Sequence, residues 1–258
     1  MTGFDPRAAR RGSLAGVLGL GRSGQSVARL LVKKGYKVLG SDSRPKAELA
    51  AALKGLPKAI KWECGGHSDR LLKCAFVVKS PGLRPDLPIL KKLAEKNIPV
   101  YSELEIALAC SKAKAVIAIT GTNGKSTTTQ LTWEIFKAGL PRGRKAIIGG
   151  NIGIPLSTAA SASKPKDVIV LECSSYQLED SVHFEPRASA ILNITADHLD
   201  HHGSMAAYLD AKAKVFREQG PGDACVFNAD DPTVYKLSRE CPSERLYFGT
   251  KGVNVHAW

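Results

Sequence analysis

Between a hydrophobic strand pattern and a helix pattern lies the stretch Ala118-Ile-Thr-Gly-Thr-Asn-Gly-Lys-Ser-Thr-Thr-Thr129. Gly121 and Gly124 allow a tight turn that aims backbone N–H groups inward. Lys125 supplies a positive charge for the β- and γ-phosphates of a nucleotide, and Ser126 supplies a hydroxyl for Mg²⁺. The start of the helix adds the positive end of its dipole. The stretch therefore predicts a loop that binds nucleotide phosphates.

The flanking residues decide between this loop and a simple turn capped by threonines. A buried strand pattern, Val116-Ile-Ala-Ile119, precedes the glycines, and an amphipathic run with Leu131, Ile135 and Ala138 follows them. Both flanks match the context that the phosphate loop requires. The residue five before Gly124 is Ile119 rather than Gly, which indicates a shorter loop found in a subset of ATPases.

A second glycine motif, Gly19-x-Gly21-x-x-Gly24, follows a strand pattern near the start of the chain. Asp42 ends the next strand, eighteen residues beyond Gly24, as in dinucleotide-binding units. The motif indicates a diphosphate at a helix N-terminus more firmly than it indicates NAD, and glycines that serve only packing are the alternative. The turn Ser80-Pro-Gly82 follows a later strand at the same predicted sheet edge.

Strand and helix patterns alternate along the chain, which predicts parallel sheets with helices on both faces. The strand patterns lie at 14–19, 36–40, 75–79, 98–100, 116–119, 146–148, 168–171, 188–192, 224–227 and 246–248. The fold class is therefore α/β, with a Rossmann-like open parallel sheet followed by an incomplete α/β domain of the phosphate-loop ATPase type. We expect a flexible lead over residues 1–12, a first domain over 13–111 and a second over 112–258. A helix is predicted from Ser204 to Glu218.

Composition excludes several classes of protein. The formal net charge is +13, but the 37 Lys and Arg residues are spread along the chain, so we expect no nucleic-acid partner. The six cysteines form no Cys-x-x-Cys pair, which suits reduced thiols. No run of about 18 apolar residues predicts a membrane span, and no signal peptide is recognisable, so we expect a cytoplasmic monomer.

Acidic and imidazole side chains follow two strands of the second half. Glu172 ends the strand pattern Val168 to Leu171, where phosphate-loop enzymes present a carboxylate to Mg²⁺, although a solvated residue is the alternative. Another strand runs into a loop with three histidines, whose spacing matches no zinc motif. His198, beside Asp197, is the candidate ligand, and we expect His201 and His202 to be solvated.

Lys212 falls in the middle of an apolar stripe on the predicted helix, whereas Lys214 projects from the opposite face. A lysine on a buried stripe is costly unless it is paired, reaches outward to solvent or is neutralised. Two readings stay open. The side chain reaches solvent, or its pKa is depressed so that the amine reacts with CO₂ to form a carbamate that can bind metal.

Six motifs in order resemble the Mur ligases, the ATP-dependent amide-forming enzymes of peptidoglycan precursor synthesis. They are the segments at 121–127 (Gly-Thr-Asn-Gly-Lys-Ser-Thr), 149–153 (Gly-Gly-Asn-Ile-Gly), 171–179 (Leu-Glu-Cys-Ser-Ser-Tyr-Gln-Leu-Glu), 193–200 (Asn-Ile-Thr-Ala-Asp-His-Leu-Asp), 208–212 (Tyr-x-x-x-Lys) and 228–231 (Asn-Ala-Asp-Asp). The 171–179 segment and the N-terminal glycine motif favour the branch that adds D-glutamate to UDP-N-acetylmuramoyl-L-alanine.

The resemblance implies roles for individual residues and two Mg²⁺ ions. The ATP-binding residues would be Gly121, Thr122, Asn123, Gly124, Lys125, Ser126, Thr127 and Asn228. The UDP end would contact Arg22, Ser23, Asp42, Arg44, Ser80, Pro81 and Gly82. Metal ligands would be Ser126, Glu172, His198 and Lys212, and the catalytic residues Lys125, Asn151, His198 and Lys212. Arg22 departs from the smaller polar residue common at its position in the family.

The implied reaction activates a substrate carboxylate with ATP and then joins it to the amine of D-glutamate. Family members continue well beyond the length of this chain, so we expect nucleotide binding but little turnover by the 258 residues alone. Two alternatives stay open: a non-catalytic module that binds a UDP-sugar, and an NAD-dependent oxidoreductase built on Gly19 to Gly24. The oxidoreductase leaves the second phosphate loop unexplained.

Overall fold

The structure, a computed structural model, describes residues 10–250 and divides between Cys110 and Ser111 into two compact units. We call them the N-terminal unit and the C-terminal unit. Each unit is built on one parallel sheet, which confirms the predicted α/β class. Most of the predicted flexible lead lies outside the described residues.

The described part of the N-terminal unit contains five strands and four α-helices. Its strands are β1 (Leu14–Leu18), β2 (Lys37–Asp42), β3 (Ile60–Cys64), β4 (Phe76–Lys79) and β5 (Val100–Ser102). Its helices are α1 (Arg22–Lys33), α2 (Lys46–Lys54), α3 (Pro88–Glu95) and α4 (Glu103–Cys110), with a short 3-10 helix at Asp69–Lys73. The sheet order is β3-β2-β1-β4-β5, so the chain reverses its direction across the sheet between β1 and β4.

Alternate residues of these strands fill a core on each face of the sheet. Val17 and Phe76 pack with Val27 of α1 on one face. Leu18 and Val77 pack on the other face. Because both faces are covered, the central strands β1 and β4 are largely apolar, and the carboxyl ends of the strands form one rim where polar loops meet.

The C-terminal unit, as far as residue 250, contains six strands and six α-helices. Its strands are β6 (Ala115–Thr120), β7 (Ala146–Gly150), β8 (Val168–Glu172), β9 (Ala188–Ile191), β10 (Ala224–Asn228) and β11 (Glu244–Phe248). Its helices are α5 (Lys125–Gly139), α6 (Leu156–Ala162), α7 (Ser175–Leu178), α8 (Leu199–His202), α9 (Met205–Ala213) and α10 (Pro232–Leu237), followed by a 3-10 helix at Ser238–Glu240. The order β11-β10-β9-β6-β8-β7 places β6 in the interior, so the loop after it is flanked by the ends of β8 and β9.

Three sequence expectations about elements were wrong. The expected strands omitted β3, an edge strand whose residues alternate between apolar and polar. Helix α9 ends at Ala213 rather than at Glu218, although Val215 and Phe216 beyond it are buried as the apolar stripe predicted. Helix α5 packs through Trp133 and Phe136. Leu131 and Ile135, the expected apolar face, are 60% and 63% exposed.

Among the helices described between residues 10 and 250, none has the length and apolar character needed to cross a membrane.

Candidate functional site

The glycine loop after β6 has the backbone geometry of an anion-binding turn. Gly121 has φ 152° and Gly124 has φ 81°, both outside the range that L side chains readily adopt. Gly124 caps α5 without a side-chain hydrogen bond, so the first turn of this helix presents its N–H groups to the loop. Lys125 Nζ donates to Thr122 O at 2.6 Å, and the same ammonium can instead donate to a phosphate held there.

Asn193, to which the sequence reasoning assigned no role, clamps this loop from the end of β9. Its side-chain oxygen accepts from Asn123 N at 2.7 Å, and its side-chain nitrogen donates to Asn123 O at 3.0 Å. Its backbone oxygen accepts from Thr122 N at 2.9 Å. The sequence signal for this role was an asparagine just after β9, the strand that neighbours β6. The clamp fixes the loop before any ligand binds.

Glu172 lies at the centre of a polar cluster beside the loop. Its carboxylate accepts from Ser126 Oγ at 2.7 Å and from Asn151 Nδ2 at 2.7 Å. Its residue surface is 1% exposed, so it is not the solvated strand end that was the alternative. The Gly149-Gly150 turn comes so close that a Cβ at Gly150 would lie 2.2 Å from Glu172 O. The structure thus brings Ser126, Asn151 and Glu172 together.

Lys212 is buried, with 1% of its surface exposed, and therefore does not reach solvent. Its Nζ donates to Gly121 O at 2.7 Å and lies 4.6 Å from the centre of the Tyr208 ring. Burial, and then the positive charge of Lys125, lower the pKa of this amine to about 7. The lowered pKa is what the second reading of the sequence requires, and carbamylation of the amine stays a prediction.

Tyr208, also unassigned from the sequence, joins Lys212 to the loop. Its hydroxyl lies 3.1 Å from Thr122 Oγ1, and burial raises the pKa of the phenol. Thr122 Oγ1 in turn accepts from Thr195 N at 3.0 Å. The hydroxyl contact ties α9 to the phosphate loop at a second point besides Lys212.

The histidine loop differs from the expectation in one respect. His198 is in the left-handed region, with φ 52°, and its ring lies against Asp197, whose charge opposes the lowering of the Lys212 pKa. The side chain of His198 is half-exposed. His201 and His202 were expected to be solvated, but their side chains are 7% and 3% exposed, so that expectation was wrong.

Two further predicted ATP-binding residues lie on the same unit. Asn228 ends β10 and donates to Leu192 O at 2.9 Å, so it lies at the same sheet edge as the loop. Thr127 is exposed in the first turn of α5. Both residues lie in the C-terminal unit, and their contact with a nucleotide stays a prediction.

In the N-terminal unit, Asp42 is enclosed by donors. One carboxylate oxygen accepts from Arg44 N and Nε, both at 3.0 Å, and the other accepts from Arg44 Nη2 at 2.8 Å and Leu20 N at 2.7 Å. Burial alone raises the pKa of Asp42, but the bonds from Arg44 and Leu20 outweigh it and lower the pKa to about 2. Asp42 thus fixes the guanidinium of Arg44, whose side chain is half-exposed.

The first glycine loop and the Ser80 turn are in direct contact. Ser80 Oγ donates to Gly19 O at 2.9 Å, and a Cβ at Gly24 would lie 1.9 Å from the same oxygen. Arg22 and Ser23 form the first turn of α1, whose cap, Gly21, contributes no side-chain bond. Pro81 and Gly82, with φ 83° at the glycine, continue the turn after β4. The predicted residues of this unit therefore meet at one sheet edge.

The donor set of the C-terminal unit fits Mg²⁺. Ser126 Oγ and the Glu172 carboxylate are hard oxygen donors within hydrogen-bonding distance of each other, beside a loop suited to phosphate. A cation at that point would contact both oxygens and a phosphate oxygen. This donor set beside a phosphate-type loop is suited to a magnesium–nucleotide complex.

Comparison with protein families gives two matches. Residues 119–258 match the model of the Mur ligase middle domain. Residues 14–102 match the model of the Mur ligase MurD-like N-terminal domain.

Curated relatives agree with these matches. One from Elusimicrobium minutum, named UDP-N-acetylmuramoylalanine--D-glutamate ligase, is 46% identical over 244 residues, which are 93% of this chain and 53% of the relative. One of the same name from Geobacillus kaustophilus is 42% identical over 234 residues, 90% of this chain and 51% of the relative. The chain thus spans about half the length of the curated relatives it matches.

Solved structures share the fold. A UDP-N-acetylmuramate:L-alanyl-gamma-D-glutamyl-meso-diaminopimelate ligase from Neisseria meningitides aligns with TM-score 0.57 and 18% identity, over 95% of this chain and 82% of that one. A murein peptide ligase from Psychrobacter arcticus aligns with TM-score 0.55 and 19% identity, over 92% of this chain and 53% of that one. At these identities the likeness concerns the fold alone.

Proposed function

Since this chain belongs to the Mur ligase family, we propose that it acts in a cytoplasmic, ATP-dependent ligase that joins D-glutamate to UDP-N-acetylmuramoyl-L-alanine. The observation that carries the proposal is the contact of Ser126 with Glu172 beside the phosphate loop, close to a buried amine of depressed pKa. The names of the curated relatives support the choice of substrates. The two nucleotides would be ATP in the C-terminal unit and the UDP end of the precursor in the N-terminal unit.

The proposed reaction has two steps. An oxygen of the alanyl carboxylate attacks the γ-phosphorus of ATP, and the bond from that phosphorus to the bridging oxygen breaks, giving an acyl phosphate and ADP. The amine of D-glutamate then attacks the acyl carbon, phosphate leaves, and the amine loses a proton. The first step brings a carboxylate towards a polyanion, so positive charge must offset the repulsion.

The residues of the C-terminal unit would divide this task. Lys125 and the N–H groups of α5 hold the β- and γ-phosphates, and Ser126 with Glu172 would hold the first Mg²⁺. When bound, Mg²⁺ supplies positive charge that offsets the charge on the transferring phosphoryl group. Asn151, which donates a hydrogen bond to Glu172, would orient the reacting groups.

Lys212 and His198 would hold the second Mg²⁺ after carbamylation of the lysine. The uncharged Nζ attacks the carbon of CO₂, an N–C bond forms, and the amine releases a proton to solvent. The product is a carbamate, which changes a buried amine into an oxygen ligand for a hard cation. The uncharged amine is the nucleophile, and a depressed pKa enlarges its fraction near neutral pH, which supports Lys212 for this role.

Contacts in the N-terminal unit favour a UDP-sugar over NAD. Dinucleotide-binding units use the acidic residue after β2 to accept the hydroxyls of a ribose. Here, both oxygens of Asp42 already accept two hydrogen bonds each, which fills the sites a carboxylate offers. We propose that Arg44 contacts the uridine end and that Asp42 holds it, with Arg22, Ser23 and the Ser80 to Gly82 turn around the diphosphate.

Isothermal titration of the 258-residue chain tests this proposal. We expect a non-hydrolysable ATP analogue to bind in the presence of Mg²⁺, and UDP-N-acetylmuramoyl-L-alanine to bind independently. Glu172→Gln should weaken analogue binding by about tenfold or more, since a carboxylate ligand of the cation is lost. The control is Lys137→Ala, an exposed lysine in the same helix as Lys125, which should bind like the wild type.

The outcomes separate the alternatives. If Glu172→Gln and Lys125→Ala bind the analogue as tightly as Lys137→Ala does, the phosphate-loop assignment is wrong. If NADH binds and the UDP precursor does not, the N-terminal unit belongs to an oxidoreductase. If the precursor binds and no ATP analogue does, the chain is a non-catalytic UDP-sugar module.

A further inference from the structure

A cluster of metal-binding side chains lies outside the residues assigned to ATP and its Mg²⁺ ions. Glu179 follows α7, and His201 and His202 end α8. One ligand atom from each residue lies within 4.8 Å of the others. We call this group the Glu-His-His cluster.

The distances within the cluster suit a shared cation. Glu179 Oε2 lies 2.8 Å from His201 Nε2 and 3.8 Å from His202 Nδ1. Ligands of a tetrahedral zinc ion with bonds of about 2.0–2.1 Å are separated by about 3.3 Å. Since the three atoms lie within 4.8 Å of one another, changes of at most about 1.5 Å in these separations bring them to that spacing. The three side chains are 13%, 7% and 3% exposed. They are therefore largely desolvated before an ion binds.

Neighbouring groups orient the imidazoles. His202 Nε2 lies 2.9 Å from Ser175 Oγ, and when Nε2–H donates to that hydroxyl, the lone pair is on Nδ1, which faces Glu179. The Tyr176 ring packs against His201, with centroids 4.4 Å apart, and against His202 at 5.6 Å. Both imidazoles are thus held by contacts other than the one with Glu179.

We propose that Glu179, His201 and His202 form a binding site for a zinc-class divalent cation, separate from the site for the nucleotide's Mg²⁺. Two imidazole nitrogens and one carboxylate form a ligand set that zinc prefers and Mg²⁺ does not. The spacing along the sequence could not reveal it, because the carboxylate comes from a helix 22 residues before His201.

The site would hold the segment that carries His198. That residue caps α8 in a left-handed conformation, and α8 is only four residues long, so the helix has little stability of its own. A cation joining the end of α8 to Glu179 would fix this helix against α7. The ion would therefore have a structural role, whereas His198 would bind the Mg²⁺ of the nucleotide site.

Zinc titration of the untagged, metal-free chain against a chromophoric chelator tests the proposal. We expect one tightly bound Zn²⁺ per chain. Glu179→Gln and His201→Gln should each weaken its affinity by about a hundredfold, the effect of removing one protein ligand. The matched control is His183→Gln, since His183 lies outside the cluster, half-exposed and 4.0 Å from Glu218. It should bind zinc like the wild type.

Two further measurements keep the test decisive. X-ray absorption of the zinc-loaded wild type should report two imidazole ligands, and it requires no variant that might misfold. His198→Ala should keep its zinc, because His198 belongs to the proposed nucleotide site.

The contrary outcomes are specific. If the wild type does not compete with the chelator, or if Glu179→Gln and His201→Gln bind zinc as tightly as His183→Gln, the cluster is a hydrogen-bonded contact only. If zinc is lost in His198→Ala and kept in Glu179→Gln, the ion belongs to the nucleotide site and the cluster is not a metal site. Neither result bears on ATP-analogue binding, which tests the proposed function separately.

Discussion

Replacing Lys212 with methionine should stabilise the protein at neutral pH and destabilise it at high pH. The folded protein holds this amine at a pKa of about 7, whereas an unfolded lysine has a pKa of about 10.4. Between these values the unfolded chain binds one more proton, so the stability of the wild type rises with pH. Below pH 7 both states are protonated, and the full cost of burying the charge is present.

The pKa of Lys212 determines the expected difference in the free energy of unfolding. A pKa difference of about 3.5 units at about 1.4 kcal/mol per unit corresponds to a cost of about 5 kcal/mol below pH 7. Methionine removes that cost, but it also removes the hydrogen bond to Gly121 O, which contributes about 1–2 kcal/mol. We therefore expect Lys212→Met to be more stable by about 3–4 kcal/mol below pH 7 and less stable by about 1–2 kcal/mol above pH 10.5.

Urea unfolding at a series of pH values between 6 and 10.5, in CO₂-free buffer, measures this difference. Trp133 packs in the core of the C-terminal unit, so its fluorescence in a Trp62→Phe, Trp258→Phe background reports on the unit that contains Lys212. Lys236→Met, at an exposed lysine of α10, is the control and should change little at any pH. If Lys212→Met is less stable than the wild type throughout pH 6–8, the charged amine is stabilised by its surroundings, and the pKa of Lys212 is not lowered.

Two other substitutions test the N-terminal unit. Asp42→Asn should lower the free energy of unfolding by about 2 kcal/mol at pH 7, because the folded pKa of about 2 lies below the ordinary value. This difference should shrink as the pH falls from about 4 to 2 in urea titrations, and a difference independent of pH would show that the contact with Arg44 is not the cause. Gly24→Ala should lower the melting temperature, since the added Cβ would lie 1.9 Å from Gly19 O, with a cost of about 3 kcal/mol or more. Gly139→Ala, with open space around the glycine at the end of a helix, should be neutral or stabilising, and equal effects of the two changes would contradict the steric argument.

The sequence predicted most strands because a strand buried on both faces is apolar throughout and is followed by a polar loop. Strand β3 does not follow this rule. It lies at the edge of the sheet, its apolar and polar residues alternate, and its hydrophobic pattern is therefore weaker. The buried face of helix α5 was predicted wrongly for another reason. It packs through Trp133 and Phe136, and its other apolar residues, Leu131 and Ile135, face outward. Periodicity locates an apolar stripe but does not say which stripe meets the sheet.

Prediction of the site depended on whether the order of the parallel strands is enough to bring its members together. Ser126 and Glu172 were predictable together, because both follow the ends of neighbouring parallel strands. Asn193 and Tyr208 act on the loop through tertiary contacts. The place of Asn193 just after β9 was a signal in the sequence, but its partners and those of Tyr208 required coordinates. His201 and His202 were misjudged for the same reason: their burial is produced by Tyr176 and by Glu179, which come from a distant segment.

The burial of Lys212 destabilises the protonated amine and, for the same reason, favours the uncharged form that the proposed carbamylation requires. A solvated lysine is almost wholly protonated at neutral pH, so very little of it is in the form that attacks CO₂. Burial is the largest cause of the lowered pKa, and the positive charge of Lys125, the residue that we propose binds the phosphates, adds to it. A triphosphate held by Lys125 would offset that charge and raise the pKa of Lys212 again. In the proposed mechanism the amine would therefore be most reactive before the nucleotide binds, and we expect carbamylation to precede the binding of ATP.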